Sequence, residues 1–249
     1  MVGPRIRRSI DSTVLVAAAF RAFCVCAAAK GASAQDHASS SVIFGSLDAA
    51  PSAFATAGVK VGLNRIDREG LAVLLSGGGG FRSERLSFGG SRPSPILTRW
   101  TGAGAAVVGY QWFRDWGVMA LFAGPESAIE ALSGGGVLRT LPTRLGLRLH
   151  AELWARPSAE TLLTGTAIAG SARGDLWARL SYGVRIRGTY FGPEAAVYTD
   201  GTGYEKWSVG LHATDLPLGD IRLRLSAGYL TETKSTGSPY VALSVWQSF

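Results

Sequence analysis

The chain has 249 residues, 47% of them hydrophobic and 33 of them glycine, with 25 Lys/Arg against 18 Asp/Glu and a formal charge of +7. No apolar run reaches the roughly 18–20 residues that a membrane-spanning helix needs, so a helical membrane protein is excluded. Glycine at this level suits a β protein better than a helical one.

The N-terminus reads as an export signal. Arg5, Arg7 and Arg8 form a basic start, an apolar stretch follows from Thr13 to Ala29, and Ala32-Ser33-Ala34 offers a small-x-small cleavage site. The expected organisation is a signal peptide over residues 1–34 and one domain over 35–249. Cys24 and Cys26 both lie in the leader, so the mature chain is expected to have no disulfide and no thiol chemistry. The leader also holds five Lys/Arg and one acid. Removing them from 25 and 18 leaves 20 and 17, a net +3. Nucleic-acid binding thereby loses its main support.

Twelve strands are predicted downstream of the leader, over residues 41–49, 53–64, 70–81, 97–112, 116–124, 143–155, 160–170, 175–187, 190–198, 204–214, 220–230 and 240–249. Turn chemistry separates them. Phe113-Arg114-Asp115, Arg156-Pro157-Ser158, Gly188-Thr189 and Thr199-Asp200-Gly201-Thr202-Gly203 are the tightest signals. Long connections are expected over 82–96 and 125–142. Gly77-Gly78-Gly79-Gly80 is expected to let a strand bend. Ten strands remain the alternative count if the first is not formed.

Alternation is the main physical evidence. Leu176, Ala178, Leu180, Tyr182, Val184 and Ile186 alternate with Arg179, Ser181, Gly183, Arg185 and Arg187. Leucines alternate with Arg144, Gly146, Arg148, His150 and Glu152, and Ile221, Leu223 and Leu225 with Arg222 and Arg224. An arginine facing lipid at the bilayer midplane costs about 2–4 kcal/mol. In a membrane, therefore, the polar faces must turn into a lumen. Trp112, Trp116, Trp154, Tyr190, Phe191 and Phe249 fall at the short-turn ends of strands and are expected to form an interfacial girdle. The last strand alternates Val241, Leu243 and Val245 and ends in Phe249, which looks like the assembly signal of bacterial outer-membrane barrels. The expected fold is all-β: an antiparallel up-and-down transmembrane barrel in the bacterial outer membrane, surrounded by its lipid. An even strand count puts both termini in the periplasm.

The expected lumen-facing polar residues are Arg144, Arg148, His150, Glu152, Arg179, Arg185, Arg187, Glu194, His212, Arg222 and Arg224. Their arginine excess fits a small anion-selective porin if the lumen is open, or a packed polar interior if it is filled. His150 or His212 with Ser181, Ser208 or Ser226 would suit a lipid-modifying enzyme. No Gly-x-Ser-x-Gly elbow, His-Glu-x-x-His motif or phosphate loop is present, and no catalytic residue, cofactor or metal is assigned. Gly124-Pro125-Glu126 and Gly192-Pro193-Glu194 are matching tripeptides.

Gly192-Pro193-Glu194-Ala195-Ala196-Val197-Tyr198 resembles a segment of the BcsS family of cellulose-biosynthesis proteins from Gram-negative bacteria. Tyr204 to Ala213, Leu223 to Tyr229, Val108 to Trp112 and Phe44 to Ala49 are similar to other parts of it. The resemblance covers about Val42 to Phe249 through scaffold motifs, and no active site carries over. It implies a non-catalytic outer-membrane accessory of cellulose biosynthesis or export. The implied partners are cellulose and components of the cellulose-synthase complex. Trp100 and Tyr204, near loop-side strand ends, are expected either to stack on glucan rings or to belong to the girdle.

Overall fold

In a computed structural model, the described residues are 40–85, 96–233 and 236–249. The expected leader lies outside them. The described chain forms β1 (Ser41–Ala49), β2 (Ala53–Gly62), β3 (Gly70–Arg85), β4 (Ile96–Arg114), β5 (Gly117–Gly134), β6 (Val137–Thr140), β7 (Arg144–Ser158), β8 (Thr161–Gly170), β9 (Asp175–Ile186), β10 (Thr189–Thr199), β11 (Glu205–Leu218), β12 (Ile221–Glu232) and β13 (Ser238–Ser248). Each strand pairs with its neighbours along the barrel, and β1 also pairs with β13. Twelve strands thus close an antiparallel barrel, with β6 a short extra strand on the tip of β5. The pairing of β1 on both sides rules out ten strands. Ser40 and Ser41 both donate backbone N–H to the Phe249 carbonyl, at 2.7 and 3.2 Å, so the last residue takes part in the closure.

One end of the barrel carries the short turns. Four of them, at 115–116, 159–160, 187–188 and 219–220, are two residues long. Arg187 and Gly188 take positive φ of 51° and 89°, the twist a two-residue hairpin requires. Both barrel termini lie at this turn end. The opposite, loop end carries 50–52, the end of β3 and the start of β4, the β5–β6–β7 region, 171–174, 200–204, and the end of β12 and the start of β13; most of the expected 82–96 connection lies outside the described residues.

Two expectations about strand ends are corrected. β5 does not stop at Gly124 but runs through Pro125 to Gly134, because Glu126, Ala128 and Glu130 continue the inward alternation. The expected 125–142 loop therefore shrinks to a hairpin with β6 and a short link. β11 continues through Pro217 to Leu218, with a bulge at Asp215 where φ is 71°. The four-glycine run carries no bulge, since β3 holds unbroken register with β2 and β4. Gly78 and Gly80 face inward, where an added Cβ would meet the Phe54 ring at 3.0 and 2.5 Å.

The barrel is apolar outside. Leu145, Leu147, Leu149, Leu180, Val209 and Leu211 are all more than half exposed. A water-facing surface of this kind is not stable, whereas lipid needs it. Outward aromatics mark both rims. Phe81, Trp100, Trp207 and Tyr229 lie toward the loop end, and Tyr110, Trp112, Trp116, Tyr182, Phe191 and Phe249 toward the turn end. Trp154 and Tyr190 depart from the expected girdle and face the lumen. Trp154 meets Trp246 edge-on across the barrel, with centroids 5.8 Å apart, and Tyr190 is buried. Ile66, Ala72, Leu74, Val107, Ala120 and Phe122 fill part of the interior. The rest of the interior is polar.

Candidate functional site

The interior is tied together by ion pairs between strands that are not neighbours. Lys60 on β2 reaches Glu152 on β7 at 2.6 Å and lies 5.8 Å from the Phe122 ring centroid. His150, two residues before Glu152, places Nε2 3.2 Å from Glu152 Oε1 but outside hydrogen-bonding geometry. Arg224 on β12 donates to Glu194 on β10 and, at 2.9 Å, to Thr164 Oγ1 on β8. Tyr240 donates to the other Glu194 oxygen at 3.2 Å. A carboxylate or guanidinium shut in a narrow barrel must find such partners, since isolated burial of a charge is costly.

At the loop end a third cluster gathers around Asp200. Its carboxylate accepts from Arg82 Nη1 at 2.5 Å, Arg173 Nη2 at 3.1 Å, Tyr198 at 3.2 Å and the Thr202 backbone N–H at 2.9 Å. Burial opposes ionisation of Asp200, but the bonds from Arg82 and Thr202 outweigh it and hold the carboxyl at about 2. Arg82 also covers the Tyr204 ring, Cζ to centroid 4.0 Å. Glu130 draws in Arg99, Arg173 and, at 3.7 Å, Arg144.

Next to this cluster lies a cavity of about 240 Å³. Its walls include Asp48, Phe54, Arg148, Arg173, Asp175, Trp177, Arg179, Glu194, Tyr198, Tyr204, Lys206 and Tyr240. Inward parity places the strand residues among them there: register aligns Trp177 with Tyr198, Tyr198 with Lys206, and Asp48 with Phe54.

The structure distributes the predicted site residues unevenly. Arg148, Arg179 and Glu194 line the cavity. Arg148 binds Glu126 at 3.0 Å. His150, Glu152, His212 and Arg224 are not among its walls, although Arg224 is bound to Glu194. Arg144, Arg185 and Arg222 share the inward register but are exposed toward the rims. Arg187 is not lumen-facing, because it sits in the β9–β10 turn, where the alternation has ended. Trp100 and Tyr204 are not brought together. Trp100 points outward, 5.3 Å from Phe81, while Tyr204 lines the cavity. Trp177, Tyr198 and Asp200 escaped the sequence reading, although Trp177 shares its parity with Arg179 and Tyr198 with Glu194.

No histidine–serine hydrogen bond occurs among the described residues. His212 Nδ1 pairs with Thr214 Oγ1 at 2.7 Å and Nε2 with the Tyr182 carbonyl at 3.2 Å, so both ring nitrogens are engaged. Ser181 pairs with Thr164 instead, at 2.7 Å. No group of three or more His, Cys, Asp or Glu among the described residues is placed to hold a metal ion. This chemistry suits holding charges and polar ligands.

The family model for cellulose biosynthesis protein BcsS matches residues 42–249, the whole barrel. The chain belongs to the BcsS family. No curated protein sequence matches it. Solved structures similar to this BcsS-family chain include the translocator domain of the autotransporter NalP from Neisseria meningitidis. There the TM-score is 0.47 at 13% identity, over 95% of this chain and 97% of that one. For the transport unit of the autotransporter AIDA-I from Escherichia coli, the TM-score is 0.46 at 10% identity, over 93% and 97%. For the β domain of the Bordetella autotransporter BrkA it is 0.41 at 14% identity, over 86% and 100%. BcsS membership connects this outer-membrane-type barrel with cellulose biosynthesis.

Proposed function

We propose that the protein is a non-catalytic outer-membrane accessory of cellulose biosynthesis or export, with both termini in the periplasm and the loop end at the cell surface. The observation that carries this reading is the family match across the entire barrel. The lumen supports it. Lys60–Glu152, Arg224–Glu194 and Arg82–Asp200 bridge non-adjacent elements, as packing groups do. Both termini share the end with the short turns, the end that faces the periplasm in outer-membrane barrels. Partners from the cellulose-synthase complex would meet the barrel from that side, and cellulose would meet the loops.

The test is extracellular cellulose in a strain lacking the gene, with the full-length protein re-expressed as control. A loss restored by the wild-type protein and by His150→Ala and His212→Ala variants is the expected result. Unchanged cellulose under inducing conditions would overturn the accessory role. Restoration by wild type but not by the histidine variants, with those variants folded, would instead favour an enzyme.

A further inference from the structure

We propose that the loop-end cavity is a binding site for a small saccharide bearing one anionic group, a carboxylate or a phosphate ester, held by Arg179 and Lys206 beside Trp177 and Tyr198. The inference stands on the cavity itself and does not depend on the cellulose reading.

Five cations line the cavity. Three are committed to carboxylates: Arg82 to Asp200 and Glu84, Arg148 to Glu126, and Arg173 to Glu130 and Asp200. Arg179 and Lys206 have no carboxylate within ion-pair distance among the described residues. Arg179 instead rests 5.4 Å from the Trp177 ring centroid, and Lys206 donates to Ser52 Oγ at 3.4 Å. Of the acids in the cavity wall, Asp175 lies 3.8 Å from Arg173, and none is within ion-pair distance of Arg179 or Lys206. Glu194 is bound to Arg224 and Tyr240. Glu232, opposite Lys206 in register, accepts a hydrogen bond from Ser52. Asp48 lies within Coulombic range of both cations but pairs with neither.

Two cations with no carboxylate paired to them, in a confined space, favour an oxyanion, and charge-assisted bonds from guanidinium and ammonium are the strong ones. The neighbouring rings set the rest of the ligand. Trp177 and Tyr198 sit directly opposite each other on β9 and β10, with Tyr204 5.9 Å beyond Tyr198. Such flat apolar faces beside polar groups match the two-sided character of a sugar ring. A neutral glucan would leave both cations unanswered, so the anionic substituent is part of the proposal.

The full-length protein, refolded into detergent micelles, is titrated calorimetrically at low salt with glucuronate, glucose 6-phosphate, glucose and inorganic phosphate. Binding of one or both sugar anions is expected, with glucose undetected and inorganic phosphate clearly weaker. Which sugar anion binds identifies carboxylate or phosphate ester as the recognised group. Arg179→Gln and Lys206→Gln should each weaken binding by about tenfold or more, as loss of a charged hydrogen bond predicts. Arg114→Gln, which alters an exposed arginine at the opposite, turn rim, should leave it unchanged. Heat-modifiable gel migration checks folding. If an Arg179 or Lys206 variant fails to fold, the wild-type salt dependence decides, since affinity must fall as salt rises. The proposal is overturned by glucose binding as well as the sugar anions, by inorganic phosphate binding equally well, by salt-independent affinity, by folded variants that bind like wild type, or by no binding at all.

Discussion

Replacing Glu194 by alanine should be the most damaging single charge deletion in the barrel. The Glu194 and Arg224 side chains are 3% and 4% exposed. Removing the carboxylate leaves the guanidinium with only Thr164 and strands the Tyr240 hydroxyl. Breaking a buried pair by removing one partner costs about 3–5 kcal/mol, mostly from the charge left behind. The Lys60–Glu152 pair, at 17% and 30% exposed, should cost less when Glu152 is replaced. The Arg114–Glu69 pair at the turn rim, at 50% and 40% exposed, should cost least of the three, because solvent screens it. Urea unfolding of the refolded protein in detergent micelles, followed by tryptophan fluorescence, gives the three values. Adding Arg224→Met to Glu194→Ala should recover much of the loss, because both charges then leave together. A Glu194→Ala cost no larger than that of Glu69→Ala, or simple additivity in the double variant, would refute the reasoning.

Leu180→Arg on the outward face of β9 should cost about 2–4 kcal/mol in lipid vesicles, while Leu218→Arg near the turn rim should cost about 0–1 kcal/mol; equal costs would contradict a lipid-facing exterior. Gly192→Ala should destabilise by about 1–3 kcal/mol, since its Cβ would lie 2.0 Å from the Tyr182 carbonyl oxygen, whereas Gly165→Ala, with its nearest contact at 3.6 Å, should be tolerated; urea unfolding compares them. Asp200 has its carboxyl depressed to about 2, so its contribution of about 2 kcal/mol is complete above about pH 4 and is lost as pH falls through 2. Hydrogen exchange of the 200–204 loop, compared between wild type and Asp200→Asn from pH 5 to pH 2, should show the wild type loosening and the variant already loose.

Strand number and facing were legible because both depend on local chemistry. Two-residue alternation assigns Leu180 and Arg179 to opposite faces wherever the strand lies. Proline misled the strand ends. Pro125 and Pro217 read as breakers, yet both lie within strands of the closed barrel. The parity of Trp154 with Arg148, His150 and Glu152 already contained its lumen position, but its place beside a turn suggested a girdle residue. Partnership across the lumen was not legible at all. Arg82 and Asp200 are 118 residues apart, and only the stagger of twelve strands decides that they meet.

The two Gly-Pro-Glu tripeptides show how the lumen is organised. At Gly124 and Gly192 an added Cβ would strike the backbone of the preceding barrel strand, at the Ala106 and Tyr182 carbonyl oxygens. At the following proline the ladder to that strand lapses: the register of β4 with β5 skips two residues, as does that of β9 with β10. A lapse in lipid would normally strand a backbone N–H, and proline has none. The glutamate after it then turns inward, where both Glu126 and Glu194 are buried. Each takes one arginine, Arg148 or Arg224. The same local device therefore fixes a carboxylate in the lumen twice and neutralises a cation each time. Arg179 and Lys206, which no such carboxylate reaches, are left with their charge turned toward the cavity.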